Sequence, residues 1–489
     1  MRKKMYKAIL FGVLITGCAT IATTSTAAVG VDSGDLCDLI ESGNIMTTLS
    51  DLSVIGERLP GTAGYDAAAD YIADTLLEYG YSVTKQPFSY QFWEELSDPE
   101  LIRTDPSMVT YPPYETAGFA TMEYSGSGDV AAPVVKAEVF GCDIADFDSA
   151  DFVGKIALIE RGVCTFFQKA ANAEAAGAAA AVVYNDAARQ DAFLGTLGGE
   201  GVTIPVLGAA YDVGMELQEE GSEAKVYVDA TVTTVDTYNL IAETQGGRDD
   251  RVVVVGAHLD GVAGTTAMND NGSGSAAILE IAKQISALGV EPVNKVRFAF
   301  WSAEESGLIG STYYVENLTD RGIKDIALNL NFDMLASPNY VRFVYDGDGS
   351  ATELAGPNGS ANIEAVFADY FDSQGLPFEE TAFDGRSDYG PFIEVGIPAG
   401  GLFTGADELK TEEQAATYGG VVDEMLDANY HTPADNYGNL NEEALDVMAD
   451  AAAHTVLTFA MTKSAVNGTG KASPVAKDKL TYKGSKAQR

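Results

Sequence analysis

The sequence predicts an α/β fold: a mostly parallel sheet with helices on both faces, interrupted by a smaller β-rich α+β domain. From Tyr238 onward, apolar segments of strand length alternate with amphipathic segments of helix length, the pattern of a parallel sheet with crossover helices. Between about 98 and 235, short alternating segments are instead separated by Gly and Pro turns. The length of 489 residues also exceeds what one hydrophobic core usually supports.

The predicted elements follow in chain order. Residues 41–90 indicate two helices and then a strand, because apolar residues recur at helical spacing from Tyr65 to Leu77 before an extended segment begins at Gly80. Further strands are predicted at 154–159, 178–184, 251–260, 295–303 and 326–334, and further helices at 167–177 and 275–288. The resulting divisions are a signal peptide at 1–28, the first part of the larger domain at 29–97, the inserted domain at 98–235, the rest of the larger domain at 236–463 and a disordered basic tail at 464–489.

The chain opens with an export signal typical of bacteria. Basic residues among the first seven precede an apolar stretch at 8–22 and small residues up to Ala28. Cleavage after Ala28 would give a secreted or periplasmic protein. Alternatively, Ile15-Thr16-Gly17-Cys18 resembles a lipoprotein box, and Cys18 would then carry a lipid anchor. No later segment has about 18 consecutive apolar residues, so we expect no membrane span.

The net charge of −42 limits the possible partners. Such a surface repels nucleic acid and anionic membranes, so neither is an expected partner. The charge serves solubility or adaptation to salty surroundings, and the sequence leaves both open. The tail at 464–489 has the opposite sign and either stays solvated or contacts the acidic body or an anionic surface.

Cysteine usage agrees with export. Cys142 and Cys164 flank one small β-rich segment, and an exported protein permits a disulfide between them. Cys37 then has no obvious partner in the mature chain.

Residues of the types that bind metals follow three predicted strands. Parallel strands present their carboxyl ends at one edge of a sheet, where ligands bind in open α/β folds. We therefore expect these residues to converge there, together with a group from far downstream. They are His258, Asp260, Asp270, Glu304, Glu305, Asp333 and, downstream, His431.

The chemistry of this set points to zinc. Two His and three carboxylates can hold two Zn²⁺, and one carboxylate can bridge the pair. The adjacent Glu304 and Glu305 fit a division of labour in which one binds metal and the other takes a proton, because buried unpaired charge is otherwise costly. The simpler alternative makes His258 and Asp270 turn residues and the Glu pair a solvated strand end. The remaining histidine, His454, lies in an Ala-rich helix and is expected to be a surface or packed residue.

These motifs resemble those of the secreted dizinc aminopeptidases of the leucine aminopeptidase type, which have the zinc exopeptidase fold. The similarity covers roughly 41–90 and 236–462, with five motifs in the family's order. They are His258-x-Asp260, Asn269-Asp270-Asn271, Glu304-Glu305, Asn331-Phe332-Asp333 and Tyr430-His431-Thr432.

The resemblance implies two Zn²⁺ per chain. One ion would take His258 and Asp333, the other would take Glu305 and His431, and Asp270 would bridge them. The same resemblance implies the catalytic roles. Glu304 would be the general base, Asp260 would fix the His258 ring, and Tyr430 would donate to the oxyanion.

The resemblance also extends to substrate-binding residues. The loop near Arg386 would help to hold the free amino terminus, and Phe403 would form a wall of the apolar side-chain pocket. Many relatives have His where this chain has Tyr389, which leaves that loop's detailed role open. A preference for large apolar, Leu-like N-terminal residues follows from the pocket.

The inserted segment resembles a protease-associated (PA) domain, a lid or substrate-access module. Its markers are Gly141-Cys142, the run from Gly154 to Cys164, Lys169 and Ala176-Gly177-Ala178. The whole chain is thus expected to be an exported, monomeric zinc metallo-aminopeptidase that acts on peptides with a free N-terminus.

The motifs leave three alternatives. A dizinc carboxypeptidase or dipeptidase on the same scaffold would use Arg386 to hold a terminal carboxylate. A glutaminyl cyclase would need one zinc, which the five-ligand set disfavours. A silent binding module would have lost ligands, and here none is lost.

Overall fold

The computed structural model of the protein describes residues 33–147 and 149–466. The predicted signal peptide, Cys18 as an alternative lipid anchor, and nearly all of the predicted basic tail lie outside the described residues. Within the described ranges, the strands are β1 Ser82–Asp105, β2 Val109–Tyr111, β3 Phe119–Thr121, β4 Gly128–Lys136, β5 Ile156–Glu160, β6 Ala180–Tyr184, β7 Val206–Ala209, β8 Glu223–Glu243, β9 Arg248–His258, β10 Asn294–Trp301, β11 Ile326–Phe332, β12 Phe343–Tyr345, β13 Glu379–Thr381 and β14 Ala399–Phe403. The helices are α1 Ser33–Cys37, α2 Ser42–Ile55, α3 Ala63–Glu78, α4 Ser149–Phe152, α5 Phe166–Ala175, α6 Tyr211–Leu217, α7 Gly274–Ala287, α8 Ile309–Glu316, α9 Asp320–Asp325, α10 Ser360–Gln374, α11 Gly390–Glu394, α12 Glu412–Tyr418 and α13 Glu442–Met461.

The strands join in the order β13-β12-β14-β11-β9-β10-β8-β4-β5-β6-β7-β3. The central strands β14, β11, β9 and β10 are parallel. On either side, β12 and β8 run antiparallel to this centre. The α/β class is confirmed, and the antiparallel strands that flank the centre are a feature that the apolar pattern did not indicate.

Helices cover both faces of the parallel centre, as predicted. On β9, Val253 and Val255 pack into the large core that contains α2, α7 and α13. Their neighbours Val252 and Val254 pack on the opposite face, against Tyr314 of α8. Successive residues of a strand point to opposite faces, so burial of both sets explains why β9 reads as a continuous apolar run.

Two long strands connect the larger and the smaller parts of the molecule. β1 pairs antiparallel with β8 along nearly its whole length. One end of β8 also pairs with β10 of the larger part, and the other end pairs with β4 of the smaller part. The predicted limits of the inserted domain, after residues 97 and 235, therefore fall inside continuous strands rather than in loops.

The smaller part is built on parallel strands with short helices. β4, β5, β6 and β7 are parallel neighbours, and α5 packs its apolar face on them. The disulfide between Cys142 and Cys164 is present as predicted. Cys37 is a free, half-buried thiol that donates to the carbonyl of Asp450 at 3.4 Å.

Helix α13 is the one described helix that is long and apolar enough to cross a membrane by composition. Of its most apolar stretch, 67% is buried inside the protein, which is the situation of a core helix. His454 lies on this helix and packs on Tyr370, with ring centroids 5.1 Å apart, so its predicted packed position is confirmed.

Candidate metal centre and active site

Three parallel strands bring the predicted metal-binding residues to one edge of the sheet. His258 is the last residue of β9 and pairs with Trp301, the last residue of β10. Asp333 follows the last residue of β11, the neighbour of β9 on its other side. The predicted convergence of these strand ends is confirmed.

The strand before the Glu pair is shorter than predicted. β10 ends at Trp301, so Glu304 and Glu305 lie in a turn and not at the strand end. Ala303 has a left-handed backbone, with φ of 59°, and this conformation ends the strand just before the two carboxylates. Met334 and His431 are likewise left-handed, at φ of 54° and 56°. Unfavourable backbone conformations therefore cluster beside the site, as is common where function fixes a side chain.

The five predicted ligands form two sets that share Asp270. His258 Nε2 lies 3.1 Å from Asp270 Oδ1 and 3.2 Å from Asp333 Oδ1. His431 Nε2 lies 3.2 Å from Asp270 Oδ2 and 3.0 Å from Glu305 Oε2. Looser groupings within 4.8 Å also place His258 near Glu304 and Glu305. The contacts near 3 Å nevertheless assign Glu305 to His431.

This geometry fits metal ions. Two ligand atoms at about 2.0–2.1 Å from one tetrahedral zinc lie about 3.3 Å apart, close to the His–carboxylate separations seen here. Each set combines imidazole with carboxylate, the donor types that zinc accepts. Asp270 offers a different oxygen to each histidine, so its carboxylate can bridge two ions.

Burial and mutual charge perturb the acidic groups of the site. Burial raises the pKa of Glu304 well above its ordinary value; His258 opposes this effect, while Asp388 and Glu305 add to it. Burial and the charge of Asp270 raise the pKa of Glu305 to about 7, against the hydrogen bond from His431. Burial alone would lower the pKa of His431, but Asp270 and Glu305 raise it to about 10. Such clustered carboxylates are costly without compensating positive charge.

Asp260 contacts the site differently from the prediction. Its carboxylate oxygens accept the backbone N–H groups of Glu304 at 3.2 Å and Glu305 at 3.3 Å. The nearest atom to His258 Nδ1 is the backbone carbonyl oxygen of Asp260, at 3.2 Å, whereas the carboxylate Oδ1 is 3.8 Å away. The carbonyl thus faces the ring, and the carboxylate holds the turn that carries the Glu pair.

Asp435, which was not among the predicted site residues, holds the turn that carries Asp270. The Asp435 carboxylate accepts the backbone N–H of Asn269 at 2.9 Å and that of Asp270 at 3.1 Å. Asp435 lies four residues after His431, so it ties the loop of one predicted ligand to the turn of another. The Asn269 side chain donates to Asp427 at 2.7 Å and continues this buried network.

We expect Asp435→Asn to weaken zinc binding by about 10–100-fold, the usual effect of changing a group that orients a metal ligand. The amide offers one acceptor oxygen where two N–H groups need one each, so a buried donor loses its partner. Competition with a chromogenic chelator measures the affinity. Asp427→Asn is the matched control, because Asp427 is buried in the same network but does not contact Asp270. Equal zinc affinity in wild type and Asp435→Asn would contradict this role.

Arg58 is a second residue that sequence reasoning missed. It is fully buried, and its guanidinium donates to the backbone carbonyls of Leu259 at 2.7 Å, Thr266 at 2.6 Å and Ala267 at 2.7 Å. Burial lowers the pKa of Arg58 to about 10, although Asp435 and Asp260 act in the opposite direction. The segment before β1 thereby fixes the loop between His258 and Asp270.

The predicted metal ligands open into a cleft. Its lining includes the predicted residues Arg386, Phe403 and Tyr430. Arg386 Nη1 pairs with Asp407 at 3.1 Å, and Nη2 lies 3.5 Å from the Tyr430 hydroxyl. The Tyr430 ring stacks on His431, with ring centroids 3.8 Å apart.

Tyr389 and Ser387 hold the loop that contains Arg386. The Tyr389 hydroxyl donates to Asp384 Oδ1 at 2.8 Å and accepts the backbone N–H of Gly385 at 2.9 Å. Tyr389, which stands where many relatives have His, is therefore a buried residue that holds this loop in place. Ser387 Oγ donates to Asp333 Oδ2 at 2.6 Å, a contact that the sequence did not indicate.

Comparisons with known proteins identify the family to which the chain is similar. Residues 239–456 match Peptidase family M28, and residues 130–217 match the PA domain. An aminopeptidase of Pseudomonas aeruginosa is 42% identical over 473 residues, covering 92% of this chain and 84% of the relative. A probable leucine aminopeptidase 2 of Aspergillus fumigatus is 44% identical over 413 residues, covering 82% of this chain and 79% of the relative.

Solved structures show the same fold. An aminopeptidase from Aneurinibacillus sp. strain AM-1 aligns with a TM-score of 0.70 at 27% identity, covering 88% of this chain and 97% of that one. A zinc aminopeptidase from Bacillus subtilis aligns with a TM-score of 0.58 at 27% identity, with the same coverage of both chains. The chain therefore belongs to Peptidase family M28, carries a PA domain, and is a metallo-aminopeptidase.

Proposed function

We propose that this protein removes large apolar, Leu-like residues from the N-termini of peptides, using two zinc ions and Glu304 as general base. The observation that carries the proposal is the shared carboxylate of Asp270. Each of its oxygens lies within 3.2 Å of a different histidine. Each histidine also has a second carboxylate partner of its own, Asp333 or Glu305.

The residues present fit two ions. His258, Asp270 and Asp333 would hold one, and His431, Asp270 and Glu305 would hold the other. Zinc, when bound, polarises the scissile carbonyl and lowers the pKa of water towards about 7.

Glu304 is the free carboxylate of the site and performs the proton transfers. It takes a proton from the attacking water while the water oxygen bonds to the carbonyl carbon. It then gives that proton to the amine nitrogen as the C–N bond breaks. Burial raises its pKa well above the ordinary value, which suits a group that must both accept and return a proton near neutral pH.

Tyr430 donates to the oxyanion, and Arg386 orients it. The Tyr430 hydroxyl lines the cleft beside Glu305 and Asp270. Arg386 is a cation and would repel a substrate ammonium group. Its distance of 3.5 Å from the hydroxyl instead supports a role in holding Tyr430. Carboxylates of the cleft, rather than Arg386, attract the free amino terminus.

The side-chain pocket supports the Leu-like preference. Met334, Tyr345 and Phe403 line the cleft beyond the metal-binding residues. Full burial of a Leu-sized side chain against such walls contributes about 1.5–3 kcal/mol.

Tyr430→Phe is expected to lower kcat by about 10²-fold with little change in KM, because the hydroxyl acts on charge that develops only in the transition state. Steady-state kinetics on a Leu anilide measures both constants. Tyr437→Phe is the control, since Tyr437 is an exposed tyrosine outside the cleft. An unchanged kcat in Tyr430→Phe would remove Tyr430 from the oxyanion role.

The proposed function is tested with Leu-p-nitroanilide and its N-acetylated form, with and without a chelator and with zinc added back. Chelator-sensitive cleavage of the free-amine substrate alone supports the proposal.

A dizinc carboxypeptidase or dipeptidase is the alternative, because Arg386 could hold a terminal carboxylate. The pairing of Arg386 with Asp407 disfavours it. Cleavage of a blocked dipeptide, with none of the anilide, would favour that alternative.

We also propose that the protein is exported and is either secreted or periplasmic. We further propose that it is a monomer. The basic and apolar sequence before Ala28 supports export. N-terminal sequencing of the mature protein distinguishes cleavage after Ala28 from lipidation at Cys18. Analytical ultracentrifugation gives the oligomeric state.

A further inference from the structure

The two long strands β1 and β8 contact the turn that carries the Glu pair, residues 302–308, which we call the Glu turn. The strands form an antiparallel ribbon in which Phe88 lies opposite Thr237 and Tyr90 lies opposite Val235. Farther along the ribbon, β8 pairs with β4 of the smaller part of the molecule. The same two strands therefore contact the Glu turn and continue into the smaller part.

β8 bonds to the chain on either side of the Glu pair. The Thr237 hydroxyl oxygen lies 2.8 Å from that of Ser302. The Asn239 side chain accepts the Ser302 N–H at 3.1 Å and donates to the carbonyl of Gly310, on α8, at 2.8 Å. Thr237, Asn239 and Ser302 are buried, so water does not compete for these contacts.

β1 packs on the middle of the Glu turn. The Tyr90 hydroxyl oxygen lies 3.1 Å from Ser306 Oγ. Tyr90 and Phe88 form one buried apolar cluster with Ala303, whose left-handed backbone ends β10. Phe88 also stacks on Tyr313 of α8, with ring centroids 5.1 Å apart. The aromatic side chains of β1 thus contact the turn through both a polar and an apolar surface.

A displacement of Ser306 reaches Glu304 through the backbone of the turn. The Glu304 carbonyl accepts the N–H groups of Gly307 at 2.7 Å and Leu308 at 2.8 Å, and Ser306 lies inside the ring that these bonds close. Asp260 accepts the Glu304 N–H at 3.2 Å. Asp260 and the ribbon therefore both fix the backbone of Glu304. Placement matters for the rate, because a misplacement of about 1 Å can cost about 10²-fold.

We propose that Tyr90 is a positioning residue for the general base. Through its contact with Ser306, it holds the turn that directs the Glu304 carboxylate towards the attacking water. The strands that connect the larger and smaller parts of the molecule then also support the general base. This inference rests on the proposed function, because it requires that Glu304 transfers the proton.

Tyr90→Phe removes one hydroxyl and keeps the ring. We expect kcat for Leu-p-nitroanilide to fall about fivefold, the factor for loss of one ordinary hydrogen bond, with little change in KM or zinc content. Ser306→Ala removes the other partner and is expected to cause the same fall. The double variant Tyr90→Phe/Ser306→Ala is expected to be no slower than either single variant, because both remove one contact.

Tyr227→Phe is the matched control for these variants. The Tyr227 hydroxyl makes the same kind of contact, 3.2 Å from the Ser97 hydroxyl, on the part of the ribbon that pairs with β4. It removes a hydroxyl from the ribbon away from the Glu turn and is expected to leave kcat unchanged.

A double-mutant cycle with Glu304→Gln separates positioning from a general structural role. If Tyr90 acts through Glu304, Tyr90→Phe has no further effect on kcat in the Glu304→Gln background, because the group that it positions is no longer a base. A fivefold fall in both backgrounds overturns the inference, as does an unchanged kcat or a loss of zinc in Tyr90→Phe and Ser306→Ala. A wild-type kcat in Glu304→Gln would instead refute the general-base role itself, and the inference with it.

Discussion

Replacing Glu304 by Gln is expected to lower kcat by a factor of about 10² or more, since general-base assistance contributes about 10²–10⁴. The change keeps the size of the side chain and removes its ability to accept a proton. Zinc content is expected to stay at the wild-type value, because neither set of contacts near 3 Å includes Glu304. Steady-state kinetics and elemental analysis of the same preparation measure both quantities.

Glu305→Gln is the matched control for this prediction. It makes the same chemical change one residue away, at a carboxylate that lies 3.0 Å from His431 Nε2. We expect it to reduce zinc content as well as activity. If Glu304→Gln loses zinc and Glu305→Gln keeps it, the two roles are exchanged.

Asp270→Ala is expected to lower kcat/KM by about 10³-fold or more and to reduce bound zinc below one ion per chain. The substitution removes an oxygen from each of the two sets at once. Metal ions contribute several kcal/mol to transition-state stabilisation, and about 1.4 kcal/mol corresponds to a factor of ten. Kinetics at saturating zinc measures kcat/KM, and metal analysis after gel filtration measures the bound zinc.

The control for Asp270→Ala is Asp325→Ala, which removes a carboxylate from the ion pair with Arg321 on α9, away from the cleft. It is expected to keep zinc and activity. Near-UV circular dichroism of both variants verifies the fold. An Asp270→Ala protein that retains two zinc ions would contradict the bridging role.

The convergence of the predicted metal ligands could be predicted because it follows from local patterns. Apolar runs of strand length marked β9, β10 and β11, and parallel strands place their carboxyl ends at one edge. The residue types then indicated zinc. What the pattern could not show was the exact end of β10, since the left-handed conformation of Ala303 depends on its tertiary surroundings.

The supporting residues were not predictable for a physical reason. Arg58 and Asp435 act through backbone groups that lie far away in sequence. The amino-acid type of the partner does not indicate a contact that is made to its backbone carbonyl or N–H. Sequence therefore indicates which side chains carry the chemistry but not which ones hold their backbone.

The long strands β1 and β8 show a similar limit. The sequence indicated a change of character near residues 98 and 235, and the structure places both positions inside these strands. Their length follows from pairing with each other over almost their full extent. Neither strand has a continuous apolar pattern along its whole length, so the sequence of each strand alone does not predict how long it is.

We propose that two zinc ions share Asp270. The most direct test is a titration of the metal-free protein with zinc. Bound metal and Leu-p-nitroanilide cleavage are followed together during the titration. Anomalous diffraction at the zinc edge then locates the ions. Two ions are expected, one beside His258 and Asp333 and one beside His431 and Glu305, with full activity reached at two equivalents. A single ion, or full activity at one equivalent with the second position empty, would contradict it.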